Sequence, residues 1–199
     1  MTMRNIGIIG KKRSGKDTAA DHLVRIRAYT KLAFADPLKE MALKVDPLIP
    51  CPQTGQHYRL TYLVEHAGWE FAKDNYPEVR RILQHLGQAQ REQDEAYWVN
   101  AMRPKLNSAE AWNMPVVVTD VRYRNEALML RARGFRLVRI VRPAMAIPLT
   151  GTGKLSARYL SDPAAEHSSE TELDTFAADL DIINDGSLDA LHGLIESAI

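Results

Sequence analysis

The run Gly10-Lys11-Lys12-Arg13-Ser14-Gly15-Lys16 constrains this chain more than any other feature, because it fits G-x-x-x-x-G-K and sits between two kinds of secondary structure. Before it, Arg4 to Ile9 is a short apolar run ending at a glycine, the pattern of a fully buried strand. After it, Ala19, Ala20, Leu23 and Val24 recur at helical spacing from Gly15 onward. Glycines in such a loop let backbone N–H groups turn inward, and the following helix start adds partial positive charge. Gly10, Lys12, Ser14 and Gly15 then form a cradle for phosphates, with Lys16 reaching the outer ones. The alternative is a coincidental glycine-rich turn, which the flanking strand and helix disfavour.

One position departs from the common pattern. Asp17 follows Lys16 where serine or threonine usually ligates magnesium, and Thr18 comes one place later. A carboxylate can serve Mg²⁺ directly or through water. It can equally be an acid favoured in the first turn of a helix. Both readings of Asp17 stay open.

The rest of the chain sets the context. At 199 residues it can hold one sizeable core, and 45% hydrophobic with 26% charged residues is ordinary for a globular protein. A formal net charge of +1 argues against a nucleic-acid polymer as partner and leaves anion binding to local arginines and lysines. The single cysteine, Cys51, excludes an intrachain disulfide and suits a reducing compartment. No apolar run approaches the roughly 20 residues that span a bilayer, and Met1 to Asn5 leads directly into a strand. The expectation is a cytoplasmic protein (host cytoplasm if viral) with no membrane partner. A homodimer is compatible with this size.

Further strands are expected at Thr30–Ala35, Pro115–Thr119, Arg136–Val141 and Asp181–Asn184. Asp36 and Pro37 read as N-cap and first residue of a helix with a stripe of Leu38, Met41, Ala42 and Val45. The first part of 46–76, with Pro47, Pro50, Pro52 and Gly55, reads as loop. Pro77 opens a helix with Val79, Ile82, Leu83 and Leu86 on one face, and helical structure resumes after Gly87 around Trp98, Val99 and Met102. A helix from about Asn125 to Arg133 ends at Gly134, and a last one carries Leu188, Leu191 and Leu194. The fold class is therefore α/β, a five-stranded, mostly parallel sheet with helices on both faces. It reads as a single domain, with a helical insertion over about 37–110 and a flap over about 144–169.

Ligands of such sheets bind beyond the carboxyl ends of the strands, and the informative residues follow the strands. Asp120 ends the third strand, where an acid can hold a metal, and Arg122 and Arg124 follow in one loop. They suit a phosphate clamp, or alternatively an ordinary ion pair at a surface turn. At about 100° per residue, Arg80, Gln84 and Gly87 share a flank of their helix while Arg81 points away from the core. Arg80 and Gln84 could line a pocket, or the helix could be purely structural. Arg142 ends the fourth strand, before the flap with Lys154, Arg158 and Glu166-His167-Ser168-Ser169-Glu170. A cationic flap would exclude water from phosphoryl transfer, with His167 read as structural or pocket-lining. Asn184-Asp185-Gly186 could face a purine ring or could simply be the turn before the last helix.

Taken together, these residues resemble the bacteriophage-type deoxynucleoside monophosphate kinases. The resemblance rests on residues 10–18, Leu-Ala-Phe-Ala-Asp-Pro-Leu-Lys at 32–39, Leu-Gln-His-Leu-Gly at 83–87 and Tyr-Trp-Val at 97–99. It continues through Thr-Asp-Val-Arg at 119–122, Val-Arg-Pro at 141–143 and Asn-Asp-Gly-Ser-Leu at 184–188. It implies a P-loop NTPase fold of the adenylate-kinase kind, ATP and Mg²⁺ as cofactors, and a deoxynucleoside monophosphate as acceptor. It assigns Arg13, Lys16, Asp17 and Thr18 to phosphates and metal, and the strand-end position of Asp120 makes that residue the second candidate metal acid. Lys16, Arg13, Arg122 and Arg142 then carry the transfer, and Asn184 and Gly186 the purine side. The resemblance gives the Asp36–Lys39 segment, Arg80 and the Thr119–Arg122 loop, with Asp120 and Arg122, to the monophosphate; Gln84 on its helix flank and Glu170 in the flap are further candidates on that side.

Two alternatives stand beside this one. Dephospho-coenzyme A kinases have a similar last strand and Asn-x-Gly-Ser-Leu turn, and some phosphomevalonate kinases share Gly-Lys-Asp, but neither resembles the 32–39 segment as well. A non-catalytic nucleotide-binding regulator would not need Arg13, Arg80, Arg122 and Arg142, all of which are present.

Overall fold

A computed structural model describes residues 3–143 and 171–199. The flap expected over 144–169, with Lys154, Arg158 and His167, and the acceptor residue Glu170 lie outside the described residues. The chain divides into two compact units: Met1–Ala33 with Lys105–Ile199, and Phe34–Pro104.

The first unit is built on five strands: β1 (Ile6–Ile9), β2 (Thr30–Leu32), β5 (Val116–Val121), β6 (Arg136–Val141) and β7 (Leu180–Ile183). Their order is β2-β5-β1-β6-β7, and every pairing is parallel. Its helices are α1 (Lys16–Arg27), α6 (Arg124–Ala132) and α7 (Leu188–Glu196), with the C-terminal part of α5 (Tyr97–Ala111). Strand alternation sorts the side chains to two faces. Ile6, Ile8, Val117, Val138, Ile140 and Ile182 pack with Ala19, Ala20 and Leu23 of α1 and Leu191 and Ile195 of α7. Val24 and Leu194, expected in those stripes, are exposed instead.

Gly7, on the other face, sits under α6. A Cβ there would lie 2.8 Å from Leu137 Cδ2 and 3.0 Å from Leu130 Cδ1. Gly7→Val is therefore expected to destabilise the protein by about 1–3 kcal/mol through overpacking. Denaturant melts of the two proteins check this, and an unchanged midpoint would contradict the close helix–sheet packing.

Helices α1 and α7 also meet through polar groups. His22 pairs with Glu196 at 2.8 Å and stacks on His192 with ring centroids 3.7 Å apart. Burial, with His22 and Arg25 nearby, pushes His192 below the ordinary imidazole value. The hydrogen bond from His22 holds Glu196 below the usual carboxylate range.

The second unit contains α2 (Ala35–Val45), β3 (Leu48–Pro50), β4 (His57–Arg59), α3 (Leu60–Asn75), α4 (Pro77–Gln93) and the start of α5. The boundary falls at Pro104, inside α5, where proline removes an intrahelical hydrogen bond. Ala42, Ile49, Leu60, Leu63, Ala72 and Val79 form its buried core.

Local expectations differ from the structure at several points in the two units. Helix α2 starts at Ala35, so Asp36 is an acid in its first turn rather than its cap, and Val45 is exposed. The proline-rich stretch after α2 is not all loop: β3 and β4 pair as an antiparallel hairpin with Ile49 opposite Tyr58. Pro50 is tolerated because it ends a two-strand edge, where no further ladder partner is needed. Finally, α4 continues through Gly87 to Gln93, and β5 extends past Thr119 to Val121, which puts Asp120 inside the strand.

Candidate active site

The loop between β1 and α1 is shaped by residues that could not easily be replaced. Gly15 has φ 103°, left-handed backbone that favours glycine, and a Cβ there would lie 2.6 Å from Asn184 Nδ2. At Gly10 a Cβ would lie 2.5 Å from the carbonyl of Ile140. Arg13 adopts φ 64°. Lys16, only 7% exposed, donates from Nζ to the Lys11 carbonyl at 2.6 Å and so spans the loop. Ser14 Oγ is buried and has no hydrogen-bond partner among the described residues.

A glycine-lined cradle, an orphaned hydroxyl and a buried ammonium fit a polyphosphate, for which each supplies a donor. Gly10, Lys11, Lys12 and Ser14 line a cleft of about 350 Å³ together with Val121, Arg122, Arg139, Arg142 and Asp174. Apart from Asp174, these residues come from β1, β5, β6 and the loops after them, the side on which a parallel sheet presents ligand-binding groups.

Arg122 follows β5 directly, and its N–H donates to Glu126 Oε2 at 2.9 Å. The same oxygen accepts from the N–H of Tyr123 at 3.1 Å, so the 2%-exposed Glu126 both caps α6 and fixes the backbone at Arg122. Arg142 follows β6 and is exposed. Arg124, read from sequence as a partner of Arg122, opens α6 instead. Its guanidinium lies 5.7 Å from the centre of the Phe176 ring, and it is not among the cleft-lining residues.

Sequence reasoning passed over Arg139 and the segment 171–176. Arg139 Nη2 donates to the carbonyls of Leu173, at 2.8 Å, and Phe176. Asp174 then pairs with Lys11 at 3.1 Å, which ties this segment to the phosphate loop. The available signal was an arginine in the middle of an otherwise apolar strand, where a charge must find partners.

The two acids proposed for a metal lie at different depths. Asp17 is three-quarters exposed and pairs with Lys31 at 3.2 Å, while Lys31 also reaches Asp21 at 2.9 Å. Burial lowers the pKa of Lys31, but its bonds and charge interactions with Asp21 and Asp17 outweigh that and leave it raised. Asp120 is half-buried in β5. Among the described residues no group of three or more His, Cys, Asp or Glu is arranged to hold a metal ion. Magnesium bound with nucleotide phosphates commonly takes only one or two carboxylates, so the donor set of Asp17 and Asp120 fits that use. Thr18 is exposed beside Asp17.

Asn184 directly follows β7 and donates from Nδ2 to the carbonyl of Ser14 at 2.8 Å. Gly186 is exposed in the turn that leads to Ser187, whose hydroxyl caps α7 through Ala190 N–H.

The second unit holds the remaining residues. Arg80 donates from Nε to the Lys73 carbonyl at 2.7 Å and pairs with Asp74, so it caps the C-terminal end of α3. Arg81 is two-thirds exposed and paired with Glu78, as the helical geometry implies. Gln84 is exposed. Lys39 pairs with Asp36 at 3.9 Å and lies 6.0 Å from the centre of the Trp69 ring.

Comparison with solved structures places the architecture. Over its whole length, and 96% of the other chain, the protein superposes on the dephospho-CoA kinase of Campylobacter jejuni with a TM-score of 0.51 and 14% identity. The chain is a P-loop kinase in fold.

The chain is also similar to viral proteins. It is 27% identical over 212 residues, 98% of this chain and 95% of the other, to an Acanthamoeba polyphaga mimivirus protein provisionally described as a deoxynucleotide monophosphate kinase. It is 31% identical over 123 residues to the uncharacterised protein ORF77 of Ictalurid herpesvirus 1 (strain Auburn). That match takes in 61% of this chain and spans about half, 48%, of the herpesvirus protein. No protein-family model matches the chain. Among the described residues, no helix is long and apolar enough to cross a membrane.

Proposed function

We propose that this P-loop kinase transfers the γ-phosphate of ATP to a deoxynucleoside monophosphate, giving the diphosphate and ADP. The observation that carries the reading is the single cleft in which the phosphate loop, Arg122 and Arg142 come together. A deoxynucleotide acceptor draws support from the end-to-end likeness to the mimivirus protein.

Phosphoryl transfer asks little covalent chemistry of a protein; it asks for positioning and for charge stabilisation on the transferring group. The loop amides and Lys16 would hold the β- and γ-phosphates, with Lys12 and Arg13 adding positive charge at the rim. Arg122 and Arg142 would face the equatorial oxygens, where negative charge spreads as the bond to the leaving group lengthens. Asp17 and Asp120 would hold Mg²⁺, which would supply neutralising charge at the phosphates. We assign the acceptor to Asp36, Lys39 and Arg80 on the resemblance, with Gln84 added from the flank it shares with Arg80 and Glu170 from the end of the flap. Arg80 would have to exchange its partners at the end of α3 for a phosphate.

Incubation with ATP, Mg²⁺ and a panel of four deoxynucleoside monophosphates, four ribonucleoside monophosphates and dephospho-coenzyme A tests the proposal. The expected result is diphosphate formation from one or more deoxynucleotides. Turnover of dephospho-coenzyme A alone would refute it.

A further inference from the structure

Asn184 does two things at the end of β7. Its backbone N–H donates to the Val141 carbonyl at 2.7 Å, at the end of β6 beside Arg142. Its side-chain amide donates to the Ser14 carbonyl at 2.8 Å, inside the phosphate loop. The Ser14 oxygen can only accept, so the amide must present nitrogen to it. Gly15 completes the fit, since any Cβ there would collide with the same amide group. One residue thus joins the loop to the strand end that carries Arg142.

We propose that Asn184 is a positioning residue for the phosphate loop, acting through the Ser14 carbonyl rather than by reading the purine. The inference rests on the reading of that loop as the nucleotide-phosphate site. Where a loop N–H turns inward, the carbonyl of the same trans peptide faces the other way and needs a partner there. Asn184 supplies one on the side of Ser14, whose buried hydroxyl has no partner among the described residues. The amide therefore holds the peptide between Ser14 and Gly15 in the orientation that turns the Gly15 N–H toward a ligand. Without that bond the peptide can rotate, and ordering it again on binding weakens affinity for phosphates whatever base they carry.

Two variants of near-equal size test this. Asn184→Asp replaces the donor with an acceptor facing an acceptor, and Asn184→Leu removes polarity altogether. Affinities for ATP and for inorganic tripolyphosphate would be measured by displacement of a fluorescent nucleotide, alongside melting temperature and the kcat and KM for ATP. The expected result is a loss of about tenfold for ATP and for tripolyphosphate alike, the scale of one hydrogen bond with its partner left unpaired. Melting temperature should move by only a few degrees, and KM should change more than kcat. Weakened ATP binding with unchanged tripolyphosphate binding would overturn the proposal and return Asn184 to base recognition. Unchanged affinity for both in either folded variant would overturn it as well. A wild-type chain that displaced the nucleotide with neither compound would remove the proposed phosphate site and this inference together, whereas binding without acceptor turnover would leave this inference standing.

Discussion

Lys16→Met is expected to lower turnover with ATP by about 10³-fold, the upper end of the loss for a single charge-stabilising donor. The substitution is chosen to keep the shape. Lys16 is 7% exposed at the first position of α1, and methionine can occupy the space of its aliphatic stem. Two things are lost: the bond from Nζ to the Lys11 carbonyl and the positive charge within the loop. The first is local, and the Lys11 carbonyl can turn to water because Lys11 itself is exposed. The second has no substitute, since charge developing on the transferring group needs a cation held in place beforehand. A melting temperature within a few degrees of wild type, weakened ATP affinity and the large fall in kcat together would match this account. Near-normal turnover would show that phosphates are held somewhere other than this loop.

The parallel sheet was readable because its strands are short apolar runs closed by glycine, proline or aspartate, a pattern that burial on both faces imposes. All five appear in the structure within a few residues of their expected limits. The phosphate loop was equally plain, since backbone geometry admits few residues at Gly10 and Gly15. What escaped was set by tertiary contact rather than by local pattern. The hairpin of β3 and β4 lies in a stretch whose prolines read as loop, and only pairing across it stabilises the strands. Arg139 could not be assigned from an apolar strand, because its partners are carbonyls more than 30 residues away. Neighbouring arginines were also beyond sequence reasoning: Arg122 lines the cleft and Arg124 covers Phe176. The difference follows from where β5 stops and α6 starts, a boundary fixed by the buried carboxylate of Glu126.

That contrast supports the second large prediction. Arg122→Ala is expected to lower kcat by about 10³-fold with little change in KM for ATP, within the range for an arginine that stabilises a transferring phosphoryl group. The backbone should survive the change, because Glu126 holds the N–H of residue 122, which alanine keeps. Arg122→Lys should recover only a small part of the rate, since a lysine offers a point charge where a planar fork can bind two oxygens. Arg124→Ala supplies the control on the same loop. It removes a guanidinium packed over Phe176, so it should lower the melting temperature by a few degrees and leave kcat within a few-fold of wild type. Steady-state kinetics and thermal melts of the three variants separate the roles. If Arg124→Ala lost the activity and Arg122→Ala kept it, the arginine that meets the transferring phosphate would be the one now placed against Phe176, and the segment 171–176 would have to move aside for catalysis.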